Sequence, residues 1–307
     1  MRAERPNDSN RVMGRGSMYM PGKDKVRIKR IPAKALPRVL VIATLLLAGC
    51  AAQSQFIPAP PPGTPERSVA YPEPDKKILL IYNHGSTQEY RRDQCRPNGS
   101  TTPRVVKELS GKKVLGLDVV VYGFCTPAKT GSYRQGSRTG EPKIMRRVEN
   151  IEDAVRSFQD SGVPAEHIFL VGHSAGGWAS LLVARRHNVR INAVIAFAPA
   201  FAGKKSKRKP GWQALHDNQA QFIAEAREMN ALVYAFDSDA FNSPEDLAFL
   251  SRIPGVRLVH LGAREIDGIT CDSPDGHQTV FRDCFARTQG KVILAYLAER
   301  LTEIRKD

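Results

Sequence analysis

The sequence predicts a doubly wound α/β domain over residues 77–307, a mostly parallel sheet with helices on both faces. Three observations carry that expectation. Six short apolar runs are spaced through the region, most are continuously apolar rather than alternating, and stretches of helical period lie between them. A strand covered on both faces has no reason to alternate, and parallel sheets between helix layers are covered in this way. No internal repeat interrupts the pattern.

In order, the runs are Ile78–Tyr82, Leu117–Tyr122, Ile168–Val171, Ala193–Phe197, Leu232–Phe236 and Val256–Leu261. Between the second and third, Ile151, Ala154, Val155 and Phe158 recur at helical spacing until Gly162 and Pro164 stop them. Behind the third run, Ala175, Trp178, Leu181 and Leu182 mark the inner side of a helix. The last helix carries Val292, Ile293, Tyr296, Leu297, Leu301 and Ile304 on one stripe.

The formal net charge of +15 invites a nucleic-acid reading, but its location argues against one. Residues 1–49 hold 11 Lys and Arg against 3 Asp and Glu, more than half of the excess. Within them, a basic flank (Arg27, Lys29, Arg30, Lys34, Arg38) precedes the apolar run Val39–Gly49, which Cys50 closes. Such a run is too short to span a bilayer, which takes about 20 residues in helix, but it suits the apolar region of a signal peptide. Leu47-Ala48-Gly49-Cys50 resembles the lipobox of bacterial lipoproteins. That resemblance implies cleavage before Cys50 and lipidation of its sulfur, and Ala51 after it favours the outer membrane. The basic lead is long, and Met20 as the start gives a more usual signal. Residues 50–76 contain Pro58, Pro60, Pro61, Pro62, Pro65, Pro72 and Pro74, a composition that reads as an extended tether.

With Cys50 assigned to lipid, four cysteines remain, an even number for an oxidising compartment. Three pairings are possible. Chain order suggests Cys95–Cys125 and Cys271–Cys284, against the alternative of four buried thiols. No cysteine or histidine spacing points to a metal, and no organic cofactor is implied.

The sharpest chemical signal is Gly172-His173-Ser174-Ala175-Gly176-Gly177, directly after the run Ile168–Val171 and opening a helix. A serine on so sharp a turn needs neighbours without side chains two positions away, and the helix start offers N–H groups to a developing oxyanion. Here the sequence resembles the α/β-hydrolase family across essentially all of 77–307, which implies that fold with a short or absent lid. The family orders its site as nucleophile, acid and histidine. Carried over by position, Ser174 matches the nucleophile, and the oxyanion donors are the N–H groups of Ala175 and of Ser86 in Asn83-His84-Gly85-Ser86. The acid follows Leu232–Phe236, where Asp237 and Asp239 compete and the family's spacing selects Asp239. The losing aspartate is expected to cap the helix near Pro244–Leu250.

Seven histidines compete for the base. His84 and His173 belong to the oxyanion loop and the serine turn, His167 stands at the far end of a strand, and His187 and His216 lie in polar surroundings. His260 falls inside the last strand run and is expected to be packed there. His277, between that run and the final helix, occupies the position where the family keeps its base, with Cys271 and Cys284 expected to staple its loop. The implied activity is hydrolysis of a carboxylic ester or lactone by a monomer that needs no cofactor. A peptidase or amidase of the same fold and a non-catalytic envelope-binding lipoprotein are the alternatives. The basic segment Lys204, Lys205, Lys207, Arg208 and Lys209 suits an anionic substrate or an anionic envelope surface, with a plain solvated loop as the alternative.

Overall fold

A computed structural model describes residues 56–57, 71–86, 99–124 and 143–304. The signal segment, Cys50, most of the tether and the Cys95–Cys125 pair lie outside the described residues. In chain order the elements are β1 (Phe56–Ile57), β2 (Lys77–Asn83), α1 (Arg104–Leu109), β3 (Lys113–Val114), β4 (Leu117–Phe124) and α2 (Lys143–Asp160). Then come β5 (Ile168–His173), α3 (Ala175–Arg186), β6 (Ala193–Phe197), α4 (Pro210–Ala224), β7 (Ala231–Phe236) and α5 (Pro244–Leu247). The chain continues through β8 (Val256–Leu261), β9 (Glu265–Ile266) and β10 (Ile269–Thr270) to α6 (Asp283–Ile304).

All six apolar runs are strands of one sheet, ordered β1-β4-β2-β5-β6-β7-β8. Every neighbouring pair on that path is parallel; only β3, folded back on β4, is antiparallel. The register pairs Leu80 with Phe169 and Val171 with Ile195, so the central strands are apolar above and below. Successive side chains of a strand point to opposite faces, and the core divides accordingly. Leu79, Ile81, Leu170 and Val194 pack under α2, α3 and α4 through Val148, Ile151, Trp178 and Ile223. Ile78, Leu80, Phe169 and Val171 pack under α1 and α6 through Val105, Leu109, Phe285, Ile293 and Leu297. Parallel strands require crossovers, and their connections leave the loops after β2, β5, β7 and β8 at one edge, the C-terminal ends of the strands.

The segment after β6 is one of these crossovers. It runs through a short turn at Lys205–Lys207 into α4, which is tied to α3 by Trp178 Nε1 donating to Gln219 Oε1 at 2.8 Å. Two expectations need correction here. His216 keeps one polar neighbour, Asp217 at 3.1 Å from its Nδ1, but is buried, its ring stacked on Trp178 with centroids 5.0 Å apart. The short α5 is capped by Ser243 and Asp246 in a reciprocal capping box, not by Asp237 or Asp239. Among the described residues no helix is long and apolar enough to cross a membrane.

Candidate active site

Ser174 sits between β5 and α3 at φ 54° and ψ −124°, a left-handed conformation that an L-residue adopts only under constraint. Its backbone is held from several sides. Ser174 N–H donates to the Phe197 carbonyl, and its own carbonyl accepts from Trp178 and Ala200. The glycines explain themselves as space. A Cβ at Gly172 would stand 2.5 Å from backbone atoms of Gly176 and Gly177, and one at Gly176 would stand 2.1 Å from the Asn83 carbonyl oxygen. The turn therefore puts Ser174 Oγ at the end of the central strand, with Ala175 opening the first turn of α3. First-turn N–H groups have no acceptor within their own helix and carry part of the helix's positive end.

His277 lies in a short helical turn, Gly276–Phe281, that follows the β9–β10 hairpin. Its Nε2 is 2.8 Å from Ser174 Oγ, and its Nδ1 is 2.8 Å from Asp239 Oδ2. A carboxylate can only accept, so Nδ1 carries the proton and Nε2 is left as an acceptor for the serine hydroxyl. Both partners are shut from water, with side-chain exposures of 3% for His277 and 0% for Asp239. Asp239 Oδ1 accepts from Phe241 N–H at 2.8 Å, and the Phe241 ring stacks on the imidazole with centroids 4.1 Å apart.

The other aspartate goes elsewhere. Asp237 Oδ1 is 2.5 Å from Nε2 of His260, and both side chains are more than half exposed. His260 is thus a surface residue paired with Asp237, not the packed strand residue expected.

The turn bearing His277 is anchored by more than the Cys271–Cys284 disulfide, which is present. A Cβ at Gly276 would stand 2.0 Å from the Asp237 carbonyl oxygen, so the turn lies directly on the loop that carries Asp239. Asp275 accepts from His277 N–H at 3.0 Å, and Thr279 and Val280 are fully buried. From the serine turn, His173 Nε2–H donates to the His277 carbonyl at 2.9 Å. Burial, reinforced by the neighbouring His277, lowers the His173 pKa to about 3, so that ring stays neutral.

Ser86 is exposed, next to Gly85, which packs against the turn at Ser174. Gly85, Ser86, Ser174, His277, Phe241, Phe281 and Arg282 are among the residues around a cavity of about 550 Å³ over the serine. Among the described residues no cluster of histidines, cysteines and carboxylates suits a metal ion. Of the basic segment, Lys205 pairs with Asp246 at 2.6 Å, Arg208 bonds the carbonyls of Gly203 and Phe241, and Lys204 Nζ lies 5.8 Å from the centre of the Phe241 ring. Sequence reasoning passed over Arg147. It falls on the apolar stripe of α2 between Ile144 and Ile151, and a charge on such a stripe is a signal in itself.

The family profile described as "Serine aminopeptidase, S33" matches residues 122–257, from the end of β4 into β8. The chain has the α/β-hydrolase fold. Sheet order, the turn at Ser174 and that match agree on it, and the chain is a hydrolase of this fold. Comparison with curated protein sequences gave no match. Among solved structures it is similar to Est1E from Butyrivibrio proteoclasticus (16% identity, 74% of this chain and 89% of that one, TM-score 0.46). It is also similar to a Paleococcus ferrophilus monoacylglycerol lipase (15% identity, 72% and 94%, TM-score 0.48). A third is one of two fungal esterases from Rhizomucor miehei (16% identity, 76% and 78%, TM-score 0.48).

Proposed function

We propose that the chain is a serine hydrolase that cleaves a carboxylic ester or lactone through an acyl-enzyme on Ser174. The observation that carries this reading is the unbroken chain Asp239–His277–Ser174, two contacts of 2.8 Å with the proton on the Asp239 side of the ring. Ser174 Oγ attacks the substrate carbonyl while His277 Nε2 takes its proton. Asp239 holds the tautomer and stabilises the imidazolium. The oxyanion accepts from the N–H groups of Ala175 and Ser86 as the tetrahedral intermediate forms. His277 then gives the proton to the leaving alcohol. Water attacks the acyl group with His277 as base, releasing the acid and restoring the serine.

A peptidase or amidase is the second reading, favoured by the family description as an aminopeptidase. The test is hydrolysis of short p-nitrophenyl esters and of aminoacyl and peptide anilides by the wild-type chain and by Ser174→Ala. The ester reading expects turnover of the esters above that of the anilides, and its loss in the variant with little change in melting temperature. Faster anilide cleavage would favour the peptidase instead.

In this reading the mature chain is a monomer anchored in the bacterial envelope by lipid on Cys50, facing the periplasm. Its support is the basic flank, the short apolar run and the Leu47–Cys50 sequence. Stable anchoring takes more than one acyl chain. Wild type should enter the detergent phase of a phase-partition experiment and Cys50→Ser should not; equal aqueous recovery of both rejects the anchor.

A further inference from the structure

The loop after β2 is held from behind by two hydrogen bonds that the hydrolytic steps above do not use. Arg147 of α2 is 2% exposed, and its Nη1 donates to the His84 carbonyl at 2.5 Å. His84, itself buried, donates from Nδ1 to the Gly85 carbonyl at 2.6 Å. A peptide unit is planar, so fixing a carbonyl oxygen fixes where the N–H of the next residue points. The Gly85 carbonyl and the Ser86 N–H share one such unit, and the His84 carbonyl and the Gly85 N–H share the one before it. On its other side the loop presses on the nucleophile: a Cβ at Gly85 would lie 3.0 Å from His173 Nδ1 and 3.1 Å from Ser174 Cβ.

We propose that Arg147 is a positioning residue for the reaction: its guanidinium, bonded to the His84 carbonyl, sets the oxyanion loop so that Ser86 N–H faces the oxygen of the tetrahedral intermediate. The inference rests on the serine-hydrolase reading and adds a part to it. A guanidinium is costly to bury unless it is paired and hydrogen-bonded. Among the described residues no carboxylate pairs with Arg147; the acceptor it has is the backbone of this loop. An apolar side chain would suit the stripe of α2 that carries Ile144, Val148 and Ile151. What the arginine adds is a donor long enough to cross from the helix to the strand end. Because an oxyanion donor matters most when charge develops, a slackened loop should weaken the transition state more than substrate binding.

The experiment compares wild type, Arg147→Met, Arg147→Lys and Arg147→Ala. Expected for Arg147→Met is a kcat lower by about tenfold to a hundredfold, somewhat less than for loss of an oxyanion donor outright. KM should stay within about twofold. The rate of fluorophosphonate labelling and the affinity for a boronic acid, both of which load the oxyanion site, should fall with kcat. Arg147→Ala should regain several-fold activity with added methylguanidinium and none with equal sodium chloride. Should Arg147→Met fail to fold, Arg147→Lys carries the test, with an intermediate loss expected from its shorter single donor. A folded Arg147→Met or Arg147→Lys variant with kcat and labelling within twofold of wild type overturns the proposal. So does a loss of kcat without loss of boronate affinity, or Arg147→Ala that methylguanidinium does not restore. A wild-type chain that neither labels nor hydrolyses esters overturns the serine-hydrolase reading itself, a distinguishable failure.

Discussion

Two aspartates of one loop, Asp237 and Asp239, are each hydrogen-bonded to a histidine, and the two pairs have opposite characters. Asp239–His277 is buried, its ring stacked on Phe241 and its far nitrogen aimed at Ser174 Oγ. Asp237–His260 stands in solvent at the end of β8, with side chains 56% and 54% exposed and Glu245 as a further acidic neighbour. Water screens the outer pair, and exposed ion pairs contribute about 0–1 kcal/mol. The inner pair is desolvated, so removing one partner leaves a buried polar group unsatisfied. Identical functional groups at similar distances thus have different uses, and the difference comes from what surrounds them.

The sharpest break in the comparison is Asp239→Asn against Asp237→Asn. Losing the carboxylate that sets the His277 tautomer should lower kcat by about four orders of magnitude, as at other Ser-His-Asp sites. Asp237→Asn should leave kcat within about twofold. Equal losses from both would dissolve the distinction.

A second prediction concerns the disulfide, which closes a loop with a sequence separation of 13. From composition alone the loop has little to anchor it, and the staple is expected to matter more for turnover than for stability. The buried turn at Gly276–Phe281 and the His173 bond to the His277 carbonyl reverse that order. Cys271→Ser/Cys284→Ser should lower the unfolding free energy by about 3 kcal/mol, the chain-entropy value for a loop of this size. Its kcat should fall by less than about tenfold. Chemical denaturation and steady-state kinetics on the same preparation would show which quantity moves more.

Acid should act on the inner site first. His173 has a folded-state pKa of about 3, below its ordinary value near 6.5, so below 6.5 the unfolded chain binds a proton that the folded chain refuses. This contribution is fully present above pH 6.5 and is lost as pH falls towards 3, with a slope of up to about 1.4 kcal/mol per pH unit. His173→Gln, which keeps a donor for the His277 carbonyl, should flatten stability between pH 6.5 and 4. An unchanged slope would place the loss elsewhere.

The smallest expected effect belongs to the outer pair. A double-mutant cycle on Asp237→Ala and His260→Ala should give a coupling energy of at most about 1 kcal/mol, shrinking with salt.

Much of this was legible in the sequence because it depends on local requirements. Continuous apolar runs report burial on both faces, and all six became strands of the parallel sheet. The space demanded around Ser174 is written in Gly172 and Gly176 themselves. The choice between Asp237 and Asp239 was not legible from chemistry, since both follow β7. It is decided by where the ends of β8 and the His277 turn come to lie, which are long-range facts. His216 read as polar because Gln213, Asp217 and Asn218 surround it in sequence, while its burial comes from Trp178 on another helix. The six-residue α1 is too short to display a helical period. Arg147 was visible as a charge on an apolar stripe, but its acceptor lies 63 residues away along the chain.

The most direct test of the central claim is peptide mapping of a fluorophosphonate adduct by mass spectrometry. The account predicts a single adduct on the wild-type chain, on Ser174, lost in Ser174→Ala and formed far more slowly in His277→Gln than in His260→Gln. An adduct on another residue, or labelling that persists in Ser174→Ala, would contradict it.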